Sequence, residues 1–334
     1  MAPEPAPPEV RALADARSES RRARDWATAD RLKAEIEAAG WKVVDAASLY
    51  TLEPLAPPDV EVDGRVRYGS SSSVPSRLEE TPVGTASVVI VASTDVDAVV
   101  HQVGLLADSA PDGTQVVVVA NAPSGEAADA LATLDARDPG APGVVTDIVW
   151  TATRLGAAAT WNVGIRRSAA PVVILVAEGV TVPGALVGAI VDALGDESVA
   201  VAGPVGLITD DLRTFRRAPS DATNVDAIAG DTIGFRRADV AVRGLLDEHF
   251  VTPDFLDAWW SLVLRDPPAA HDDDEDGDEP RRAVQVPVEV TRAAASGSVA
   301  GGDGARQAKR NFYRFLKRFA TRRDLLTSVT RREA

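Results

Sequence analysis

The sequence predicts an α/β fold: a mostly parallel sheet with helices on both faces, preceded by a helical hairpin and followed by an amphipathic helix. Three observations carry this reading. From Ser87 to Ala202, short β-branched apolar runs alternate with helix-length segments, the pattern of strands buried on both faces. Ahead of them, Asp25 suits an N-cap and Gly40 a C′ position, bracketing the second helix of a hairpin over residues 10–39. Near the end of the chain, Ala308, Phe312, Phe315, Leu316 and Phe319 fall on one helical face.

Residues 1–9, rich in Pro, are expected to be disordered. The hairpin comprises helices over about Pro8–Arg22 and Trp26–Ala39, and Trp41–Val44 then reads as a short strand, giving a module over residues 10–52. Residues 53–85 have a linker composition, with Pro54, Pro57, Pro58, Pro75, Pro82 and four consecutive serines from Ser70. The main domain is expected over 86–304. Its strands are Ser87–Ala92, Gln115–Ala120, Val144–Trp150, Val172–Val176 and Val199–Ala202. Its helices are Val96–Asp108, Gly125–Leu134, Gly156–Arg166 and Pro183–Leu194. The run HDDDEDGDE at 271–279 reads as a solvated acidic loop.

Composition removes several classes of function. The chain has no Cys, which excludes disulfides, thiolate metal sites and Cys nucleophiles. Its three histidines, His101, His249 and His271, are too scattered for a His-rich zinc site. No strand is followed by GxGxxG, and neither GxxxxGK[ST] nor GxSxG occurs, so dinucleotide-binding, P-loop and α/β-hydrolase readings lack support. The N-terminus lacks the basic-then-apolar pattern of a signal peptide, and no apolar run is long enough to span a bilayer. A cytoplasmic protein is expected, with a peripheral position at the inner face of the membrane as an option. Net charge is -15, which argues against a protein that coats nucleic acid. Residues 305–334 nevertheless carry ten Lys/Arg and two Asp/Glu, a local +8. Two readings stay open for this basic amphipathic helix: it lies on an anionic membrane surface with its Phe face, or it packs on the main domain.

Ala16-Arg17, Ala23-Arg24-Asp25-Trp26, Ala29-Asp30-Arg31-Leu32, Ala39-Gly40 and Asp45 make the hairpin resemble the small C-terminal module of cysteinyl-tRNA synthetases, departing from it at Leu49. The resemblance implies RNA contact through Arg17, Arg21, Arg22 and Arg24; the alternative is a solvated hairpin that docks on a protein surface.

Four segments in order make residues 86–320 resemble the family 2 type glycosyltransferases, which have the GT-A fold. They are SVVIVAST at 87–94, RLGAAATWNVGIRRS at 154–168, VDAIAGDTIGFRRADVAVRGLLDEHF at 225–250, and Asn311–Phe315. The resemblance implies transfer of a sugar, with inversion, from a nucleotide-sugar donor to a cell-envelope glycan or lipid-linked acceptor. A carboxylate base deprotonates the acceptor hydroxyl, and a divalent cation, Mg or Mn, held by Asp-x-Asp, neutralises the departing diphosphate. This sequence departs from that pattern. The Asp-x-Asp position reads Ala177-Glu178-Gly179, leaving Glu178 as the metal candidate. The base motif aligns with Leu256-Asp257-Ala258-Trp259-Trp260, giving Asp257, or Asp254 on an offset alignment. Asn121 stands where a uracil-contacting Asp is usual, and Arg154 where Asn is usual.

Thr94, Asp95, Gly156 and Asn162 complete the donor-side candidates, and Asp247-Glu248 the acceptor side. Arg236 and Arg237 are candidates to pair with diphosphate oxygens in place of a metal. The alternatives are a catalytically degenerate GT-A protein acting as a scaffold or partner, and an RNA-binding protein acting through the hairpin.

Overall fold

The computed structural model describes residues 6–46, 49–55, 57–93, 95–123, 125–135, 144–267, 279–292 and 302–327. Most of the acidic run and Thr94 lie outside these residues. The chain divides into two compact units, Met1–Ser70 and Ser71–Ala334.

The first unit begins with helices α1 (Pro8–Arg22) and α2 (Trp26–Ala38), followed by the antiparallel strands β1 (Trp41–Ala46) and β2 (Leu49–Pro54). Asp25 caps α2 by accepting from the Thr28 N–H, and Gly40 takes a positive φ just past its end. Ala6, Val10, Ala14 and Ile36 are buried, with Trp41, Val43 and Leu52 packed against them. Structure therefore begins before residue 10, because Ala6 belongs to this core. Arg17, expected on an RNA-facing surface, is buried and donates two hydrogen bonds to the Asp45 carboxylate at 2.9 and 3.0 Å. Arg21 joins that carboxylate at 3.2 Å. Two of the four candidate RNA contacts thus fasten α1 to β1. The stretch expected to be a linker contains a hairpin, β3 (Val60–Val62) and β4 (Arg65–Tyr68). Its turn is Asp63-Gly64, both at positive φ, which matches the strand twist of a two-residue hairpin.

The second unit starts at Ser71, earlier than residue 86, because residues 71–85 are hydrogen-bonded to it. The Arg77 and Val83 amides donate to the Arg166 and Ala169 carbonyls. Its elements run β5 (Ala86–Ala92), α3 (Val96–Ser109), β6 (Thr114–Ala120), α4 (Glu126–Asp135), β7 (Val145–Thr151), α5 (Ala157–Arg167), β8 (Val172–Val176), β9 (Val180–Thr181), α6 (Gly184–Leu194) and β10 (Val199–Gly203). There follow β11 (Gly206–Ile208), β12 (Arg216–Arg217), β13 (Asn224–Val225), β14 (Ala227–Ile228), β15 (Thr232–Arg236), α7 (Arg237–Arg243), α8 (Leu256–Arg265), β16 (Arg282–Gln285), β17 (Thr291–Arg292) and α9 (Gly302–Phe319). Within this unit the main sheet has the order β13-β16-β10-β15-β8-β5-β6-β7. Strands β8, β5, β6 and β7 are mutually parallel, and β15 enters antiparallel between β8 and β10.

Every residue of β5, β6 and β8 is buried, which explains their unbroken apolar runs. Alternate side chains face opposite layers. Val88, Ile90, Val116 and Val118 share a core with α3, α4 and α6. On the other face, a Cβ on Gly164 of α5 would lie 2.1 Å from Val89, so the glycine lets this helix settle directly on β5. Phe235 of β15 meets Trp260 of α8 edge-on at 5.4 Å on this same face.

The tail helix α9 packs on its own domain. Phe315 and Phe319 are fully buried, and the rings of Phe312 and Phe315 pack against Phe255, tilted, at 5.2 and 5.7 Å. Buried Asn311 donates to the Thr252 and Asp254 carbonyls. The Phe face offered to a membrane in the first of the two readings is therefore occupied. Among the described residues no helix is long and apolar enough to cross a membrane.

Candidate functional site

A cleft of ≈ 630 Å³ opens at the carboxyl ends of β5, β6, β7 and β8, where open α/β sheets place their ligands. Five sequence candidates line it: Asn121, Arg154, Glu178, Asp254 and Asp257. Three further charged residues line it as well: Arg217, Asp231 and Arg292.

Asp257 sits in the first turn of α8. One carboxylate oxygen accepts from the Gly230 amide at 2.9 Å and the other from the Ala258 amide at 2.8 Å. Gly230 leaves room for it, since a Cβ there would lie 3.2 Å from that of Asp257. Burial pushes the Asp257 carboxyl above the ordinary Asp value of 3.8, against the pull of these amides. A carboxylate with a raised pKa, facing a cleft, is suited to removing a proton from a hydroxyl. Asp254 is exposed at the rim, and its backbone carbonyl accepts from Asn311, which ties α9 to the cleft wall.

Asn121, at the end of β6, is committed to the protein. Its amide nitrogen donates to the Leu155 carbonyl and the Thr160 hydroxyl, and its oxygen accepts from the Leu155 amide at 2.8 Å. It thereby fixes the loop that carries Arg154. Arg154 itself is exposed and, among the described residues, makes no hydrogen bond or ion pair.

Glu178 accepts from the Ser93 amide at 2.9 Å, joining the ends of β8 and β5. Asp231 lies just before β15, and its carbonyl accepts from the Ala177 amide. Its carboxylate is ion-paired with Arg292 and lies 3.7 Å from Arg217. This donor set does not fit a divalent cation, which needs several convergent oxygens. One Glu178 oxygen takes a backbone N–H, Asp231 faces two guanidinium groups, and both Asp257 oxygens accept amides. Among the described residues, no three His, Cys, Asp or Glu side chains are grouped to hold a metal ion.

The remaining candidates stand apart from the cleft lining. Asp95 caps α3 by accepting from the Ala98 amide. Gly156 is the N-cap of α5, and a Cβ there would lie 2.9 Å from Val251. Asn162 is buried in α5 and bonds both backbone groups of Leu246 and the Glu248 carboxylate. Glu248 also accepts from the Ser71 hydroxyl, and Asp247 pairs with Arg314 of α9 at 2.7 Å. Both acidic residues therefore work as fastenings.

Arg236 and Arg237 line a different cavity, of ≈ 960 Å³. Arg236 donates to the carbonyls of Leu194, Asp196 and Val199. Arg237 donates to those of Arg77, Glu80, Ser168 and Ala169. The pair expected to face a diphosphate instead closes the opposite end of the sheet, because β15 runs antiparallel to β8 and ends where β8 begins.

No family model matches the sequence. A stretch of 48 residues is 52% identical to a cysteine–tRNA ligase of Opitutus terrae, covering 14% of this chain and 10% of the ligase. Among solved structures, GalNAc-T7 with UDP, GalNAc and Mn2+ superposes with a TM-score of 0.51 at 15% identity, over 70% of this chain and 48% of that one. The mannosyltransferase PcManGT from Pyrobaculum calidifontis, in complex with GDP-Man and Mn2+, gives 0.45 at 16% identity, over 64% and 57%. S. aureus TarS in complex with UDP-GlcNAc gives 0.48 at 11%, over 70% and 67%. The chain thus spans about half the length of GalNAc-T7. The sheet order, the two helical layers and this likeness give the chain the GT-A fold.

Proposed function

We propose that this chain is a glycosyltransferase. It takes a nucleotide-sugar donor into the cleft at the strand ends and passes the sugar, with inversion, to a hydroxyl of a cell-envelope glycan or lipid-linked acceptor. The observation that carries this reading is the convergence of Asp257, Glu178 and Arg154 on one cleft of a GT-A sheet. The solved structure of GalNAc-T7, similar in fold, contains UDP, which motivates the donor class.

In the proposed reaction, the acceptor hydroxyl gives its proton to Asp257. Its oxygen attacks the anomeric carbon as the bond to the phosphate oxygen breaks, and the nucleoside diphosphate leaves with the electron pair. Burial keeps Asp257 basic enough to accept that proton. Asn121 and Asn162 act as positioning residues, the first for the Arg154 loop and the second for the segment around Glu248.

The test is nucleotide release from a panel of UDP-, GDP- and dTDP-sugars, with a glycan or lipid-linked acceptor. Release by the native chain is expected to fall about 100-fold or more in Asp257→Asn. Equal release by that variant overturns the role of Asp257. Nucleotide binding without release by the native chain supports the scaffold reading instead, and absence of both sinks the nucleotide-sugar reading.

A further inference from the structure

We propose that Arg217 and Arg292, held by Asp231, form with Arg154 a guanidinium clamp for the donor's diphosphate. This clamp takes the part that a metal ion plays elsewhere. The inference rests on reading the cleft as a nucleotide-sugar site. Beside Arg154, it assigns the leaving-group contacts to Arg217 and Arg292, which no motif in the sequence marks.

The geometry points this way on several counts. The Asp231 side chain is only 12% exposed, whereas those of Arg292 and Arg217 are 53% and 73% exposed. A buried carboxylate thus anchors two cations whose exposed side chains line the cleft. Their backbones are fixed by pairing. Arg292 of β17 lies opposite Val180 of β9, two residues beyond Glu178, and Arg217 of β12 lies opposite Leu207 of β11. Arg154 stands on the loop that Asn121 fastens. Among the described residues Asp231 pairs only with Arg217 and Arg292, and three guanidinium groups line a cleft whose other carboxylates are Glu178, Asp254 and Asp257.

A diphosphate is the ligand this arrangement fits. Guanidinium groups bond phosphate oxygens in pairs and stay charged at every relevant pH. As the sugar–phosphate bond breaks, the electron pair remains on the phosphate oxygen. Donors already in position stabilise that charge without reorganising. The N-terminus of α5, the other usual phosphate cradle, is occupied: the Ala157 and Ala158 amides donate to the Val251 and Phe250 carbonyls. Asp231 is a positioning residue here, keeping two mutually repelling cations together.

The experiment uses the whole chain with UDP and GDP as probes, by calorimetry, in excess EDTA and again in Mn2+. Nucleotide release from the donor panel is measured alongside. Tight binding of one nucleoside diphosphate in EDTA is expected, weakened about 10- to 100-fold in Arg217→Gln and in Arg292→Gln. Binding of the corresponding nucleoside should be unchanged. Both side chains are half or more exposed, so these variants should fold; matching Tm values check this.

Binding and release that vanish in EDTA, return with Mn2+ and ignore the arginine variants overturn the clamp while leaving the transferase reading intact. Arginine-dependent binding without release keeps the clamp and removes the transferase. No binding under either condition overturns both.

Discussion

Two arginine pairs in this molecule have opposite fates. Arg236 and Arg237 are neighbours in sequence, yet their guanidinium groups are spent on seven backbone carbonyls at one end of the sheet. Arg217 and Arg292 are 75 residues apart, yet they meet at Asp231 in the cleft at the other end. A guanidinium whose N–H groups are filled by carbonyls is a structural part. One anchored on a single carboxylate at an open cleft keeps donors for a ligand. The partner set, and not proximity in the chain, separates the two roles.

That contrast can be broken by experiment. The largest effect on stability is expected from Arg237→Ala, which leaves four carbonyls without their donor. It should cost about 2–4 kcal/mol in denaturant unfolding. Arg217→Ala should stay within about 0.5 kcal/mol of the native chain, since it removes an exposed side chain. Equal losses in both would erase the distinction. Next, Gly164→Ala should cost about 1–3 kcal/mol, because its Cβ meets Val89 at 2.1 Å and α5 must move off β5. An unchanged melting curve would show that this packing is loose.

Two pH effects follow, from the cleft and then from the first unit. Asp257 acts as base only when ionised, and burial raises its pKa. Release should therefore fall as pH drops through a value above the 3.8 of an ordinary Asp. A profile flat down to pH 4 would argue for another base. The smallest effect concerns Asp45. The hydrogen bond from Arg17 holds its pKa below the ordinary value. Its stabilising contribution is thus present above the usual carboxylate range and lost as pH falls through the folded value. In Arg17→Gln the acid transition of the first unit, followed by tryptophan fluorescence, should begin at higher pH.

Much of the fold is legible because burial on both faces writes itself into local sequence. The run VVILV needs no partner information to be read as β8, and Asp25 and Gly40 mark the bounds of α2 by their own side-chain chemistry. The β3–β4 hairpin was missed: the prolines and serines around its Asp63-Gly64 turn give residues 53–85 the composition of a linker. In the cleft, Asp257, Glu178 and Arg154 were found through segments resembling a known family. Arg217, Asp231 and Arg292 were not. They lie on two-residue strands or in a turn, where no periodicity develops.

The sequence by itself determined the alternation of long strands and helices from β5 to β10, the absence of thiol chemistry, and the basic, one-sided character of the tail helix. Only the tertiary structure decided what each charge does. It turned Arg236 and Arg237 inward, buried the Phe face of α9, committed Asn121 to a loop, and brought Arg217 and Arg292 to Asp231. The physical reason is range. Burial and capping act within a few residues, whereas ion pairs and carbonyl bonds depend on which distant strands the sheet order sets side by side.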